Sequence, residues 1–425
     1  MTFLLLLLAL IALLYLGMPM FAALFLLPLG VLLWTEGGVP ALGEMVIGKL
    51  DGYLLIAIPL FMLMAHIMVR GRVVDDLYNA AFAIFRRIRG GVGIATVAAC
   101  TVFAAISGSS VATALTIGKI AIPQMLRYGM SRRGAFGVVA GGGTLGILVP
   151  PSAPMVLYAY VTETSVAALF LAGLIPGLMM ALIFALYVFA TEGKAKVPDN
   201  EPPPETAAVL RRASWSLSLP IFVLGGIYLG IFTATEAAGT GTIYALIVAA
   251  LIYRTLTWRD MIEGVHDATR TSAMLLMIIA GAAIYGYMLT KLRIPQELTQ
   301  LVADMGLGRT GFLIAMMVLL FLLGLVLESF SIILLTMPAI LPLLGTLDID
   351  KVWYGILLTL SLEMALISPP VALNLVVIKA ITGASLKEAN RSVYPYMLML
   401  AFGTALLIAF PGIALWLPRQ AGYGG

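Results

Sequence analysis

The chain has 425 residues, 61% hydrophobic and 11% charged, with a mean hydropathy of +1.06 and a formal net charge of +4. Soluble domains carry about 25% charged residues, so this composition excludes a soluble globular domain and points to an all-α polytopic membrane protein. A single cysteine, Cys100, excludes an intramolecular disulfide and a cysteine-rich metal site, and the basic residues read as topology signals, not as a nucleic-acid surface.

The chain begins apolar at Met1-Thr2-Phe3-Leu4, with no basic leader, so its start reads as a first membrane helix and not as a signal peptide. Residues 3–16 and 19–34 are apolar runs separated by Gly17-Met18-Pro19; one kinked helix over 3–34 is the alternative. Residues 35–53 read as a mixed loop and 54–70 as the next span. Residues 73–89 open with Asp75 and Asp76 and close with Arg86, Arg87 and Arg89, a polarity that suits the helix dipole and an interfacial helix. Next come two runs of marginal length, 93–106 and 111–126, flanking Ser107-Gly108-Ser109-Ser110. Short halves with a polar break between them, and arginines at both mouths, predict a re-entrant hairpin over about 93–126. A helix over about 135–160 is interrupted by Pro150-Pro151-Ser152, since proline removes a backbone donor and clashes with the preceding turn. A span over 166–191 follows, and then a charged, proline-rich linker over 192–213, expected in the cytoplasm.

The same plan returns 219 residues downstream, where Pro150-Pro151 falls on Pro369-Pro370, Pro123 on Pro342, Ser109-Ser110 on Glu328-Ser329, and Thr144 on Glu363. Spans are expected near 215–231, 236–253 and 271–290, an amphipathic segment over 291–307, a hairpin over about 311–346, a broken helix over about 352–381 and a last span over 395–417. Segments 70–89, 119–133, 192–214, 254–270 and 379–391, placed inside, hold 19 of the 25 Lys and Arg residues. The first hairpin then opens to the cytoplasm and the second to the other side. The expected organisation is therefore two inverted repeats, 1–191 and 214–425, joined by the linker, with both termini external. Paired interrupted segments of this kind mark the binding site of a secondary transporter.

Hydroxyls, backbone carbonyls freed by helix breaks, and acids are hard oxygen ligands that suit Na⁺. Ser107, Gly108, Ser109, Ser110, Gly143, Thr144 and Val149 are expected to form one nest, and Glu328, Ser329, Ser331, Ser368, Pro369 and Asn374 its mate. Glu328 and Glu363 are acids deep within the second copy, where an acid is costly and functional by default. Ion contacts are assigned to Ser107, Gly108, Ser109, Gly143, Thr144, Val149, Glu328, Ser331, Glu363, Ser368 and Pro369. Substrate contacts are assigned to Ser109, Ser110, Thr113, Ser152, Ser329 and Asn374, with half-helix N-termini at Ser110 and Ser152 facing an anion. For any one serine or glycine, close helix packing is the competing account. Glu236, after Thr233-Ala234-Thr235, reads as an acid in the first turn of a capped helix. No Gly-x-x-x-x-Gly-Lys-Ser/Thr loop and no zincin motif is present, so transport is expected to draw on a gradient or on something outside this chain.

At Phe103-Ala104-Ala105-Ile106-Ser107-Gly108-Ser109-Ser110-Val111-Ala112, Gly146-Ile147-Leu148-Val149-Pro150-Pro151-Ser152, Gly230-Ile231-Phe232-Thr233-Ala234-Thr235-Glu236-Ala237 and Ile367-Ser368-Pro369-Pro370-Val371, the chain resembles the large membrane subunit of a tripartite ATP-independent periplasmic (TRAP) transporter. The resemblance covers nearly the whole chain. It implies an elevator-type fold in the bacterial inner membrane and import of an organic acid coupled to two or more Na⁺ ions. It also implies a separate small four-helix membrane subunit and a periplasmic substrate-binding protein. Three departures stand out: Ala234 lies where the resemblance leads one to expect proline, and Ala365 and Ala372 lie where glycines are expected around the second double proline, their methyls bearing on close backbone approach at the second ion site. A self-sufficient Na⁺- or H⁺-coupled carboxylate exchanger of related fold is the competing transporter reading. An intramembrane enzyme lacks a nucleophile–base pair, because His66 and His266 lie away from the breaks. A non-transporting assembly subunit would not need two matching breaks.

Overall fold

The computed structural model describes residues 2–39, 41–71, 73–195, 197–198, 206–369 and 372–423. Arg72, the linker residues Lys196, Asp199, Glu201, Pro202, Pro203, Pro204 and Glu205, and Pro370 and Val371 of the second double proline lie outside the described residues. Among the described residues there is no strand, and eight helices are long and apolar enough to cross a membrane. In lipid a backbone must satisfy its own polar groups, which is why long apolar runs fold as helices.

The first half runs α1 (Thr2–Tyr15), α2 (Met20–Glu36), α3 (Leu42–Leu50), α4 (Ala57–Arg70), α5 (Val73–Phe85), α6 (Gly91–Ser107), α7 (Ser110–Arg127), α8 (Arg132–Leu148), α9 (Ala153–Thr162) and α10 (Val166–Thr191). The second runs α11 (Thr206–Tyr228), α12 (Ala234–Ile247), α13 (Trp258–Lys291), α14 (Ile294–Asp304), α15 (Arg309–Gly324), α16 (Ser329–Thr346), α17 (Lys351–Leu366), α18 (Leu373–Thr382), α19 (Leu386–Ala409) and α20 (Gly412–Gln420). One order thus occurs twice: a helix, a short amphipathic helix, a helical hairpin, a broken helix and a long helix. It covers α4 to α10 and again α13 to α19.

The helices sort into two packed groups. A scaffold group joins α2, α3, α4, α11, α12 and α13. A hairpin group joins α6 to α10 with α15 to α20, and the two halves interleave within it through α7 on α18, α8 on α17 and α19, and α9 on α16. The amphipathic α5 and α14 pack against both groups. At the centre of the hairpin group lies α8, buried without interruption from Ala135 to Leu148. Its buried face is uniform because its neighbours surround it.

Four boundaries depart from the sequence reading. Residues 35–53 include the helix α3, whose apolar residues rest on α13 although Glu44 and Lys49 make the stretch look like a loop. The span expected from 271 begins at Trp258, capped by Thr257 and Asp260 in a reciprocal capping box. Its early charges looked like loop, but they are paired: Arg70 of α4 reaches Glu263 at 2.5 Å and Asp267 at 2.6 Å, and Arg259 reaches Glu263 at 2.9 Å. The expected last span over 395–417 is two helices, α19 and α20, separated at Phe410-Pro411. The linker is also shorter than expected, since α11 starts at Thr206.

Candidate functional site

The first break is built by local backbone chemistry. α6 ends at Ser107 because Gly108 takes a left-handed conformation (φ 57°) and its N–H returns to Ala104 O. Ser109 is extended and caps α7, its hydroxyl accepting from Ala112 N at 3.4 Å. Beneath the tip, Thr113 Oγ1 donates to Ser109 O at 2.8 Å and lies 2.8 Å from Ser107 Oγ. α8 stops before Pro150-Pro151, and Ser152 stands at the N-cap of α9.

The hairpin and the broken helix touch backbone to backbone. A Cβ on Gly108 would lie 2.8 Å from Pro151 O, and one on Gly146 would lie 2.5 Å from Ser109 C and O. Glycine is required at both, and at Gly108 the positive φ adds a second reason.

The second break repeats this arrangement with different residues. α15 ends at Gly324, and the extended Glu328 precedes α16. Here the close approach is between Gly324 and Ala365: a Cβ on Gly324 would lie 2.4 Å from the Ala365 methyl. The Ala365 departure is thus accommodated by a glycine on the facing hairpin. Ala372 behaves differently, because it sits at the N-cap of α18 with φ 38° and ψ 65°, in the left-handed region. That conformation costs an L-residue about 1–2 kcal/mol, and glycine entropy costs about 0.5–1 kcal/mol. Ala372→Gly is therefore expected to stabilise the protein by about 0.5 kcal/mol or slightly more, read as a rise in the thermal unfolding midpoint.

The two tips meet. Ser109, Ser110, Glu328 and Ser329 line one cavity of about 120 Å³, together with apolar residues such as Met62, Ile147 and Leu373. Gly108 is on the same wall. A larger cavity of about 470 Å³ adjoins it, and Glu328, Leu366 and Leu373 line both.

Other expected site residues fall elsewhere. Gly143 faces Ala114, with 2.8 Å between that methyl and where its own Cβ would be, so it serves the packing of α7 on α8. Thr144 Oγ1 donates to Gly141 O at 2.6 Å within its own helix, and Val149 presses on Gly177 of α10. Ser368 Oγ donates to Met364 O at 2.6 Å, and Pro369 follows it, half-buried, just after α17. Ser331 lines the larger cavity. Glu363 is fully buried near the Leu148 backbone, and its oxygens meet hydrogen-bond geometry with no described group. Asn374, expected with the second nest, instead crosses to the first: its Nδ2 donates to Ser110 Oγ at 2.9 Å and to Ala140 O at 3.1 Å. The sequence offered no signal for that pairing, which joins residues 264 apart. Glu236 meets the expectation for it: its carboxylate and Thr233 cap α12 reciprocally.

Oxygen ligands for Na⁺ are available around the breaks. Ser152 Oγ, Ser331 Oγ and Asn374 Oδ1 are buried and unpartnered among the described groups, and buried polar atoms in that condition ask for a ligand. Among the described residues no cluster of His, Cys, Asp and Glu would hold a transition metal, so hydroxyl, amide and carbonyl oxygen is the donor set, the kind that suits hard cations.

Comparison with known proteins agrees with this architecture. Residues 7–413 match the family model described as tripartite ATP-independent periplasmic transporter, DctM component. A C4-dicarboxylate TRAP transporter large permease protein of Pseudomonas aeruginosa is 38% identical over 396 residues, 93% of each chain. An isethionate TRAP transporter permease protein, DctMQ, of Oleidesulfovibrio alaskensis is 32% identical over 91% of this chain but only 61% of its own length. The solved MtrF of Neisseria gonorrhoeae shares the fold, with a TM-score of 0.62 at 14% identity over 91% of this chain and 85% of that one. The chain therefore belongs to the DctM family of TRAP transporters: it is a multi-pass large permease subunit of the inner membrane, a transporter and not an enzyme.

Proposed function

We propose that this chain is the permease of a Na⁺-coupled, binding-protein-dependent importer of an organic acid, working by an elevator movement. The observation that carries the reading is the meeting of the two hairpin tips, 219 residues apart in sequence, around one serine-lined cavity. Ser109, Ser110 and Ser329 offer hydroxyls to a carboxylate, and α7 and α16 begin at this cavity, so their positive dipole ends face it. Ser107, Ser109 and the Pro-Pro break are the reading for one Na⁺ site, and Glu328, Ser331 and the second break for the other. Na⁺ near Glu363 would offset the cost of burying its charge.

The two occurrences of one element order support inverted repeats over 1–191 and 214–425, with the hairpins re-entrant from opposite sides. The hairpin group is the moving body and the scaffold group the fixed one. A small membrane subunit and a periplasmic binding protein that delivers substrate complete the tripartite system, in line with the family the chain belongs to.

The test is uptake into proteoliposomes holding this chain and its small subunit, with a Na⁺ or a proton gradient, with and without the binding protein. Uptake that needs both Na⁺ and the binding protein is the expected result. Uptake driven by protons alone would make Glu328 and Glu363 proton carriers, and uptake without the binding protein would make the chain a self-sufficient exchanger. Ser107→Ala and Ser109→Ala are each expected to raise the Na⁺ concentration for half-maximal uptake about tenfold, equivalent to about 1.4 kcal/mol, and Ser109→Ala also to lower the thermal midpoint through the loss of its cap on α7, about 1 kcal/mol. Unaltered Na⁺ activation in both variants would remove the first ion site from these residues.

A further inference from the structure

We propose that the transported acid carries a bulky apolar body, aryl or branched-alkyl, seated in the larger cavity beside the second hairpin tip, with its carboxylate in the small cavity between the tips. This rests on the organic-acid reading above and names the class of acid.

The two cavities differ in character. The one between the tips, about 120 Å³, has three serines and Glu328 on its wall. The adjoining one, about 470 Å³, lies between the turn from α1 to α2, the middle of α13, and the second hairpin with its broken helix. Its size falls within the range of about 300–1,000 Å³ typical of small-molecule sites. Leu14, Met20, Phe21, Met274, Ile278 and Leu373 dominate its lining, and Glu328 and Ser331 are its polar side chains among the described residues. An apolar wall with a few convergent polar groups is the usual make-up of a pocket that holds a largely apolar ligand.

The charges favour an acid with one carboxylate. No Lys, Arg or His lines either cavity among the described residues. One carboxylate can lie at the serines and helix N-termini between the tips. A second, on a compact dicarboxylate, would leave the serines and helix N-termini of the small cavity and face the leucines, isoleucine and methionines of the larger one. A hydrocarbon body directed away from the tips suits those same side chains, and burying it contributes about 25 cal/mol per Å² of apolar surface. Met20 of α2 and Met274 of α13 are both on this wall, and methionine adapts its shape to irregular apolar partners.

The experiment uses the purified complex of this chain with its small subunit, and reads ligand-induced thermal stabilisation in Na⁺ and in choline. The probes are phenylacetate and 4-methyl-2-oxopentanoate against succinate and malate. The expected result is Na⁺-dependent stabilisation by the first pair at midpoint concentrations about tenfold or more below those of the second, the scale set by apolar pocket contacts. Met20→Trp and Ile278→Phe, which fill the larger cavity from different helices, are expected to raise the phenylacetate midpoint about tenfold and to leave that of succinate nearly unchanged. Tighter binding of succinate than of both apolar acids overturns the proposal while keeping the organic-acid reading. Filling variants that weaken both classes alike, or neither, also overturn it, because the cavity is then clearance for a moving body and not a seat for substrate. Binding of no acid from either class in Na⁺ overturns the organic-acid reading, and this inference with it.

Discussion

Gly146→Ala is expected to reduce substrate uptake about 100-fold or more, the loss that follows when a positioned group is displaced by roughly 1 Å. The added methyl would lie 2.5 Å from Ser109 C and O and 2.7 Å from Ser110 N. All three are backbone atoms, so no rotamer change relieves the contact. Either α8 or the hairpin tip must shift, and the tip carries Ser109 and Ser110, which line the cavity between the hairpins. Overpacking of this kind also costs about 1–3 kcal/mol of stability. Uptake normalised to protein in the membrane, measured beside the thermal midpoint, separates the two effects. Gly30→Ala is the control, since nothing lies within 4 Å of a methyl there and it falls inside α2. It should transport normally and gain about 0.5–1 kcal/mol from the lost glycine freedom. Wild-type uptake by Gly146→Ala would show that the contact between tip and broken helix does not position the site.

The second large effect is expected at Asn374, which holds the first hairpin to the broken helix of the other half. Its Nδ2 donates to Ser110 Oγ and Ala140 O from a fully buried position. Asn374→Asp keeps size and shape but replaces that donor with an acceptor, so a carboxylate oxygen faces the Ala140 carbonyl. Removing a partner from a buried polar group costs about 1–3 kcal/mol, and more where a charge is involved. The expected ranking of uptake is wild type, then Asn374→Ala, then Asn374→Asp, with the aspartate variant close to background. If the alanine variant proves the worse of the two, then volume, and not the donated hydrogen bonds, is what the site needs.

Both residues show what a sequence can and cannot display. The breaks were legible because serine, glycine and paired proline interrupt apolar runs that would otherwise continue as helix, and those residues act through their own backbone. α10 starts at Val166 and ends at Thr191, as its uninterrupted apolar pattern requires. The start of α13 was not legible, because the charges of Glu263 and Asp267 resemble a loop until Arg70 of α4 is seen to hold them. Asn374 was identifiable as polar within an apolar run, but its partner was not, since the contact exists only after α18 has docked on α7. The same holds for Ala365, whose methyl looked incompatible with close packing because the compensating Gly324 lies on another helix.

That compensation bears on how the chain can change over generations. The two halves put their close-approach glycine against different partners: Gly146 of the broken helix faces the Ser109–Ser110 backbone, and Gly324 of the hairpin faces the Ala365 methyl. Each assignment is a matched set. A single exchange at position 324 meets a methyl already in place, so the route from one solution to the other passes through a crowded intermediate unless position 365 changes first. Grafts between the halves are thus compatible only when hairpin and broken helix travel together, and the double variant G324A/A365G should tolerate what G324A alone does not.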